Sequence, residues 1–345
     1  MTIRKSLEAA LNGEPVKNPV YLVYDWFVDN CRIDWQSLFD QGLGRINHAT
    51  IAEYERPNVQ IVVTESEQDC RVRKDIKWVT EKGELHEWFV DGWRQEYLIK
   101  KPEDYEILAC AFEGSKFIAK DDQFIESEKQ LGENGITIGQ IGPVGRGRTP
   151  FQAIQIDFAG LERFSIDIAL EETKLINLIE LMNNQMIDAI KCILPSKATQ
   201  IKLWENLSIE TMGPNLFRKY LVPLYKRIFE VLDGSDKKLQ VHYDGKLNAI
   251  KDDIAEMPFD GIDSLTPEPE GNMEIKDARE IWPDKFLWIN PSLSWFQKSD
   301  DQLLNNINKL VEDAGPSRFC LMISEDVPPD WQAKVPLILN RLRKI

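Results

Sequence analysis

Gln240-Val241-His242-Tyr243-Asp244-Gly245 decides how this chain is read. The segment follows a lysine-rich turn and reads as a short buried strand, with Leu239 and Val241 on its apolar side. Residues two apart on a strand point the same way, so His242 and Asp244 leave its end together. An imidazole beside a carboxylate at a strand exit suits either a metal ion or proton transfer. The plain alternative is a hydrogen-bonded histidine followed by an Asp-Gly turn. The surrounding chain decides between them.

Short apolar runs of the same kind recur on both sides. Downstream are Asp260–Leu265, Lys285–Asn290 and Arg318–Ile323, separated by helical patterns over 246–256, 273–282 and 301–313, with a last helix over about 331–343. Upstream, Pro214 opens a helix lined by Phe217, Tyr220, Leu221, Leu224, Tyr225, Ile228, Phe229 and Leu232, and Gly234 stops it. Before it come the run Gln200–Trp204, ending in Glu205, and a helix over 172–193. Three more runs lie at Val20–Tyr24, Val59–Val63 and Ile136–Ile141. Helices are also expected over 2–12, 35–48, from Lys101, and over 121–133. Eight buried runs with helices between most of them predict a (β/α)8 TIM barrel, with an N-terminal helix and a β-hairpin excursion around 71–90. Trp78, Trp88 and Trp93 staple that hairpin down or cover a pocket. Residues 1–345 are read as a single barrel domain. An open doubly wound sheet is the other α/β option, but no GxGxxG follows the first run.

Bulk properties narrow the function classes. The chain has 345 residues, 43% of them hydrophobic, enough for one large core. Its net charge of -15 disfavours nucleic acid and anionic membranes as partners. The five cysteines are scattered without a CxxC pair, which argues against a disulfide framework and suits a reducing cytoplasm. The N-terminus reads as a helix start rather than a signal peptide, and no apolar run is long enough to span a bilayer.

In a barrel of this kind, reactive side chains sit where strands end at the C-terminal face. Those ends here are Asp25, Glu205, His242 with Asp244, Asp263, Asn290 and Glu325. Some are turn residues, yet together they predict a polar mouth. One histidine among carboxylates suits zinc, and Fe²⁺ or Mn²⁺ would tolerate the same set. The loop Gly142-Pro143-Val144-Gly145-Arg146-Gly147-Arg148-Thr149-Pro150 offers backbone amides and Arg146 or Arg148 to an anion. It lacks the GxxxxGK[ST] spacing of a phosphate loop and reads first as a rim loop.

Several motifs carry a resemblance: Trp204-Glu205-Asn206-Leu207, Gly213-Pro214-Asn215-Leu216-Phe217, Tyr220-Leu221-Val222-Pro223, His242-Tyr243-Asp244-Gly245 and Glu325-Asp326-Val327-Pro328-Pro329. With the opening Arg4…Leu7…Ala10-Leu11-Asn12-Gly13…Pro19-Val20, the chain resembles the uroporphyrinogen decarboxylase superfamily. The resemblance implies the same barrel. It also separates two branches. The decarboxylases hold a polyanionic tetrapyrrole with arginines after the first strand; here that segment reads Asp25-Trp26-Phe27-Val28-Asp29-Asn30, with no arginine before Arg32. The corrinoid-dependent methyltransferases hold zinc with a His-x-Cys pair and a later cysteine. Those positions fall on His242, Asp244 and Glu325, so the expected metal ligands have become harder.

The resemblance therefore implies transfer of a methyl group from an O-methyl donor, foremost an aryl methyl ether, to the cob(I)alamin of a separate corrinoid protein. Zinc would polarise the ether oxygen, or Glu205 would protonate it, with Asp25 and His242 as further catalytic candidates. Trp26, Phe27, Trp204, Tyr243 and Asn290 are the candidate substrate-binding residues. A betaine-type N-methyl donor and a homodimer stay open. The alternatives are a decarboxylase or lyase on a small or tetrapyrrole acid, using Asp25 with Arg146 and Arg148, and a non-catalytic ligand-binding barrel.

Overall fold

Eight short strands close on one another, most of them apolar on both faces. They are β1 (Tyr21–Tyr24), β2 (Gly44–Thr50), β3 (Gly135–Gln140), β4 (Gln200–Leu203), β5 (Lys238–His242), β6 (Gly261–Leu265), β7 (Phe286–Ile289) and β8 (Phe319–Met322). Each lies parallel to its neighbours in chain order, and β8 returns to β1 in the register Tyr21–Leu321 and Leu22–Met322. This is the expected (β/α)8 barrel. The structure is a computed structural model and describes residues 1–31, 33–68, 70–141, 147–207, 209–324 and 331–345. The expectations at Arg146 and Glu325 lie outside the described residues.

The run Val59–Val63 is not a barrel strand. It belongs to Gln60–Gln68, which pairs antiparallel with Arg71–Thr80. The second barrel strand is Gly44–Thr50, in a stretch read from the sequence as the tail of a helix. That helix stops at Asp40, and Gly42, at φ +93, turns the chain into the strand. Arg45, Asn47 and His48 conceal β2, because a strand whose inner face carries one isoleucine and one histidine lacks an apolar run.

The chain divides into two compact units. The first comprises Met1–Ile51, Lys120–Gln140 and Ser196–Ile345, and it contains all eight barrel strands. Inside it, the N-terminal helix Ile3–Leu11 is capped by the Thr2 side chain. Its Leu7 and Ala10 pack with Val20, Leu22, Ile46, Ile136, Ile138, Phe286, Trp288, Cys320 and Met322 into one buried cluster. Arg4 secures the helix through a 2.7 Å bond to Glu128. Full burial of a leucine such as Leu7 contributes about 2 kcal/mol.

The second unit comprises Ala52–Ala119 and Ile141–Pro195. The predicted hairpin is larger than expected, a four-stranded antiparallel sheet of Gln60–Gln68, Arg71–Thr80, Gly83–Val90 and Trp93–Glu96. Trp78 is buried against Phe112 and Phe158, at 6.2 and 6.0 Å between ring centroids, whereas Trp93 is exposed. Among the described residues, no helix is long and apolar enough to cross a membrane.

Candidate active site

Strand alternation places Tyr24 above Leu22, His48 above Ile46, and Asn290 above Trp288. The same rule puts Lys202 and Trp204 on one side of β4, and Gln240 and His242 on one side of β5. Below the mouth, Gln240 accepts from Trp288 Nε1 at 2.9 Å and donates to Gln200 at 2.9 Å. Gly261 on β6 makes room for this layer: a Cβ there would lie 1.9 Å from Gln240 Oε1.

Above that layer runs a chain of charged and polar groups, all within the first unit. Asp25 Oδ1 faces His48 Nδ1 at 2.9 Å, and its Oδ2 accepts from the His48 backbone N–H at 2.7 Å. His48 Nε2 lies 3.2 Å from Lys202 Nζ. An ammonium only donates, so His48 accepts at Nε2, carries its proton on Nδ1 and donates it to Asp25. Lys202 Nζ is 3.0 Å from Asp263 Oδ2 and 3.4 Å from Tyr24 Oη. The Tyr24 hydroxyl donates to Asp263 Oδ1. Asp263 Oδ2 lies 2.5 Å from His242 Nδ1, and His242 Nε2 faces Asp244 Oδ2 at 3.8 Å.

Trp204 forms an aromatic plate between the two imidazoles. Its ring centroid is 4.8 Å from His48 and 5.0 Å from His242, and the Lys202 ammonium sits 4.6 Å from it. Lys202 and Asp263 are both fully buried, which a charge pair tolerates only when each member is matched.

The environment drives the two histidines apart. Burial pulls His48 down, and the neighbouring Lys202 charge adds to this against Asp25, so the imidazole is neutral near pH 7. Burial also pulls on His242, but the Asp263 carboxylate and then Asp244 overcome it and raise its pKa to about 9. Asp263 stays ionised because Lys202 and His242 outweigh the cost of burying it. Lys202 is itself lowered by burial, against the pull of Asp263. A neutral and a protonated imidazole on either side of one indole form an acid–base pair.

Of the predicted residues, the structure brings Asp25, Trp204, His242, Asp244 and Asp263 into this cluster. Asp25 ties the end of β1 to β2 and also accepts from the Trp26 N–H at 2.8 Å, so it orients His48. Glu205 is fully buried and accepts from Tyr225 Oη at 3.1 Å, and Tyr225 accepts from Tyr243 Oη at 2.8 Å. Tyr243 is buried with its ring near Phe217 and Phe259, which makes it core packing. Phe27 packs its ring edge against Trp35, and Trp26 stacks on Phe27 with 56% of its surface exposed. Asn290 is buried beside Ser264. In the second unit, Arg148 is buried, with Nη1 3.5 Å from Asp157.

Tyr24, His48 and Lys202 escape the sequence reading. A signal for Lys202 exists: a lysine two residues before Trp204, inside a four-residue buried strand, must find a buried partner. For a metal, the described residues offer His242 Nε2 and the Asp244 carboxylate, while Glu325 lies outside them. Among the described residues, no group of three or more His, Cys, Asp and Glu side chains is placed to hold an ion. Without an ion, Asp263 and Asp244 raise the His242 pKa to about 9, so a metal there would have to displace the Nε2 proton.

No family model matches the sequence, and no curated protein matches it. Among solved structures, a B12-independent methionine synthase from Shewanella sp. aligns over 92% of this chain and 86% of its own at 9% identity, with a TM-score of 0.44. That overlap is too loose to bear on this chain. A methyltransferase from Methanosarcina mazei aligns over 100% of this chain and 98% of its own at 13% identity, with a TM-score of 0.57. At that identity the likeness is one of fold, and it agrees with the closed eight-stranded barrel.

Proposed function

We propose that this chain is a methyltransferase that moves a methyl group from an O-methyl donor, foremost an aryl methyl ether, to the cob(I)alamin of a separate corrinoid protein. The observation that carries the reading is the setting of His242. Its Nδ1 is committed to Asp263 at 2.5 Å, its Nε2 faces the more exposed Asp244, and its ring lies against Trp204. An ether carbon gives up its methyl group readily only if the departing oxygen is neutralised as the bond breaks. His242 supplies that proton from Nε2, and the electron pair of the broken C–O bond stays on the oxygen. Asp263 holds the ring and stabilises its charge, while Trp204 offers an apolar face to an aromatic donor. The partner's corrinoid supplies the nucleophile that accepts the methyl group.

The test is consumption of cob(I)alamin with methoxylated aromatics, followed by its absorbance, for the wild type and His242→Gln. Removing a positioned general acid is expected to lower turnover on the order of 100-fold. Unchanged turnover in the variant overturns the role of His242, and no turnover by the wild type with any methoxylated aromatic overturns the donor class.

A second reading keeps zinc at His242, Asp244 and Glu325. The 3.8 Å gap between His242 Nε2 and Asp244 Oδ2 favours it, because one ion can bond to both atoms, and Asp263 would orient the ligand from behind. Metal content of the wild type and His242→Ala decides between the readings. About one zinc per chain, lost in the variant, selects the metal.

A further inference from the structure

Asn290 follows β7 directly. Phe286 and Trp288 belong to the cluster inside the barrel, and strand alternation carries Asn290 to the same side, one step nearer the mouth. Its backbone N–H still bonds to Leu265 at 2.9 Å, so the pairing with β6 continues to this point. The side chain is 6% exposed. Its Nδ2 donates to Ser264 Oγ at 2.7 Å, and its Oδ1 is buried with no hydrogen-bond partner among the described residues.

Buried amide oxygens are almost always paired, because stripping one of water without replacement opposes folding. The group that fixes this amide is under strain of its own. Ser264 adopts φ +66, a left-handed conformation costly for a non-glycine residue, where the β6–β7 register shifts between Ile262 and Leu265. Ser264 also follows Asp263, the carboxylate that holds His242. A strained serine, next in the chain to Asp263, thus anchors an amide whose oxygen has no partner among the described residues.

We propose that Asn290 determines specificity: its Oδ1 accepts a hydrogen bond from an O–H or N–H group on the methyl donor. For the identity of that donor this rests on the methyl-ether reading above. The donor is then an aromatic methyl ether that keeps a free hydroxyl or N–H beside the ether. A betaine, with a quaternary nitrogen and a carboxylate, has no hydrogen to give and leaves the oxygen unpaired.

The test compares 2-methoxyphenol with methoxybenzene, which lacks only the hydroxyl, by titration calorimetry on the full chain. Wild type is expected to bind 2-methoxyphenol at least ~30-fold more tightly, as sites built around one hydrogen bond do. Asn290→Leu is expected to bring the two compounds within about 3-fold by weakening 2-methoxyphenol alone, whereas Asn290→Asp, which keeps an acceptor, retains the preference. Equal binding by the wild type, a preference that survives in Asn290→Leu, or no binding of either compound overturns the proposal. If Asn290→Leu does not fold, Ser264→Ala releases the amide instead, and an undiminished preference there overturns it. Binding needs no corrinoid and no turnover. An intact preference without methyl transfer would therefore overturn the methyl-transfer reading and leave this one standing.

Discussion

His242 Nδ1 lies 2.5 Å from Asp263 Oδ2, and the same oxygen lies 3.0 Å from Lys202 Nζ. One carboxylate oxygen thus serves two cations inside a barrel. Lys202 and Asp263 are both fully buried, so solvent screens their attraction little. Each prediction below disturbs that arrangement or the layer beneath it.

The first concerns pH. The folded-state pKa of His242 is raised to about 9 from an ordinary 6.5. A group raised on folding contributes stability that is fully present below 6.5 and lost as pH rises through 9. The shift corresponds to a contribution on the order of 3 kcal/mol. Urea unfolding of the wild type and His242→Gln at pH 6, 8 and 10 should show the wild type losing its advantage across that window. Parallel curves would show that the imidazole is not held as a cation. Turnover should decline over the same high-pH range as Nε2 loses its proton.

Asp263→Asn removes the shared carboxylate but keeps its shape. Lys202 then loses its carboxylate partner, His242 keeps only Asp244 at 3.8 Å, and the Tyr24 hydroxyl loses a charged acceptor. Leaving a buried cation uncompensated typically costs about 3–5 kcal/mol. The His242 pKa, followed by NMR of the imidazole, should fall from about 9, because the Asp263 charge no longer opposes burial and only Asp244 still does. A histidine that still titrates near 9 in this variant would refute Asp263 as the source of the shift.

Gly261→Ala tests the layer under the mouth. The new methyl group would meet Gln240 Oε1 at 1.9 Å and Phe286 O at 2.8 Å. Gln240 would have to move and give up its bond to Trp288 Nε1. Overpacking of this kind costs about 1–3 kcal/mol. Thermal unfolding reads the loss, and a variant as stable as the wild type would mean the layer is looser than its contacts indicate.

Much of the fold is legible in the residues because parallel strands buried on both faces read as short apolar runs. Leu239, Val241, Ile262, Leu287 and Leu321 announce their strands without help from neighbours. Gly44–Thr50 does not, because its inner face spends a position on His48. The site is legible only in part for the same reason. His242, Asp244 and Asp263 stand at strand ends, where polar residues are conspicuous. Lys202 hides within an apolar strand, and its partner Asp263 is 61 positions away along the chain. Tyr24 reads as one more aromatic in an apolar run, and only its hydroxyl contact with Asp263 marks it as part of the cluster.

β3 occupies an unusual place in the connectivity. The chain reaches it from β2 only after Ala52–Ala119, and leaves it for β4 only after Ile141–Pro195, both of which belong to the second unit. β4 to β8 follow one another without such detours. β3 pairs with β2 from Arg45–Gly135 to Thr50–Gln140, and with β4 at Ile201–Gly139 and Lys202–Gln140. Each of these pairings joins residues some 60 to 90 positions apart, and such closures are entropically slow. β3 is therefore the strand whose two neighbours are both reached across a long detour, and only the return of β8 to β1 joins residues farther apart. The arc from β4 to β8 is built from near neighbours in the chain, whereas the contact of Lys202 with His48 spans β3 and depends on both long detours being closed.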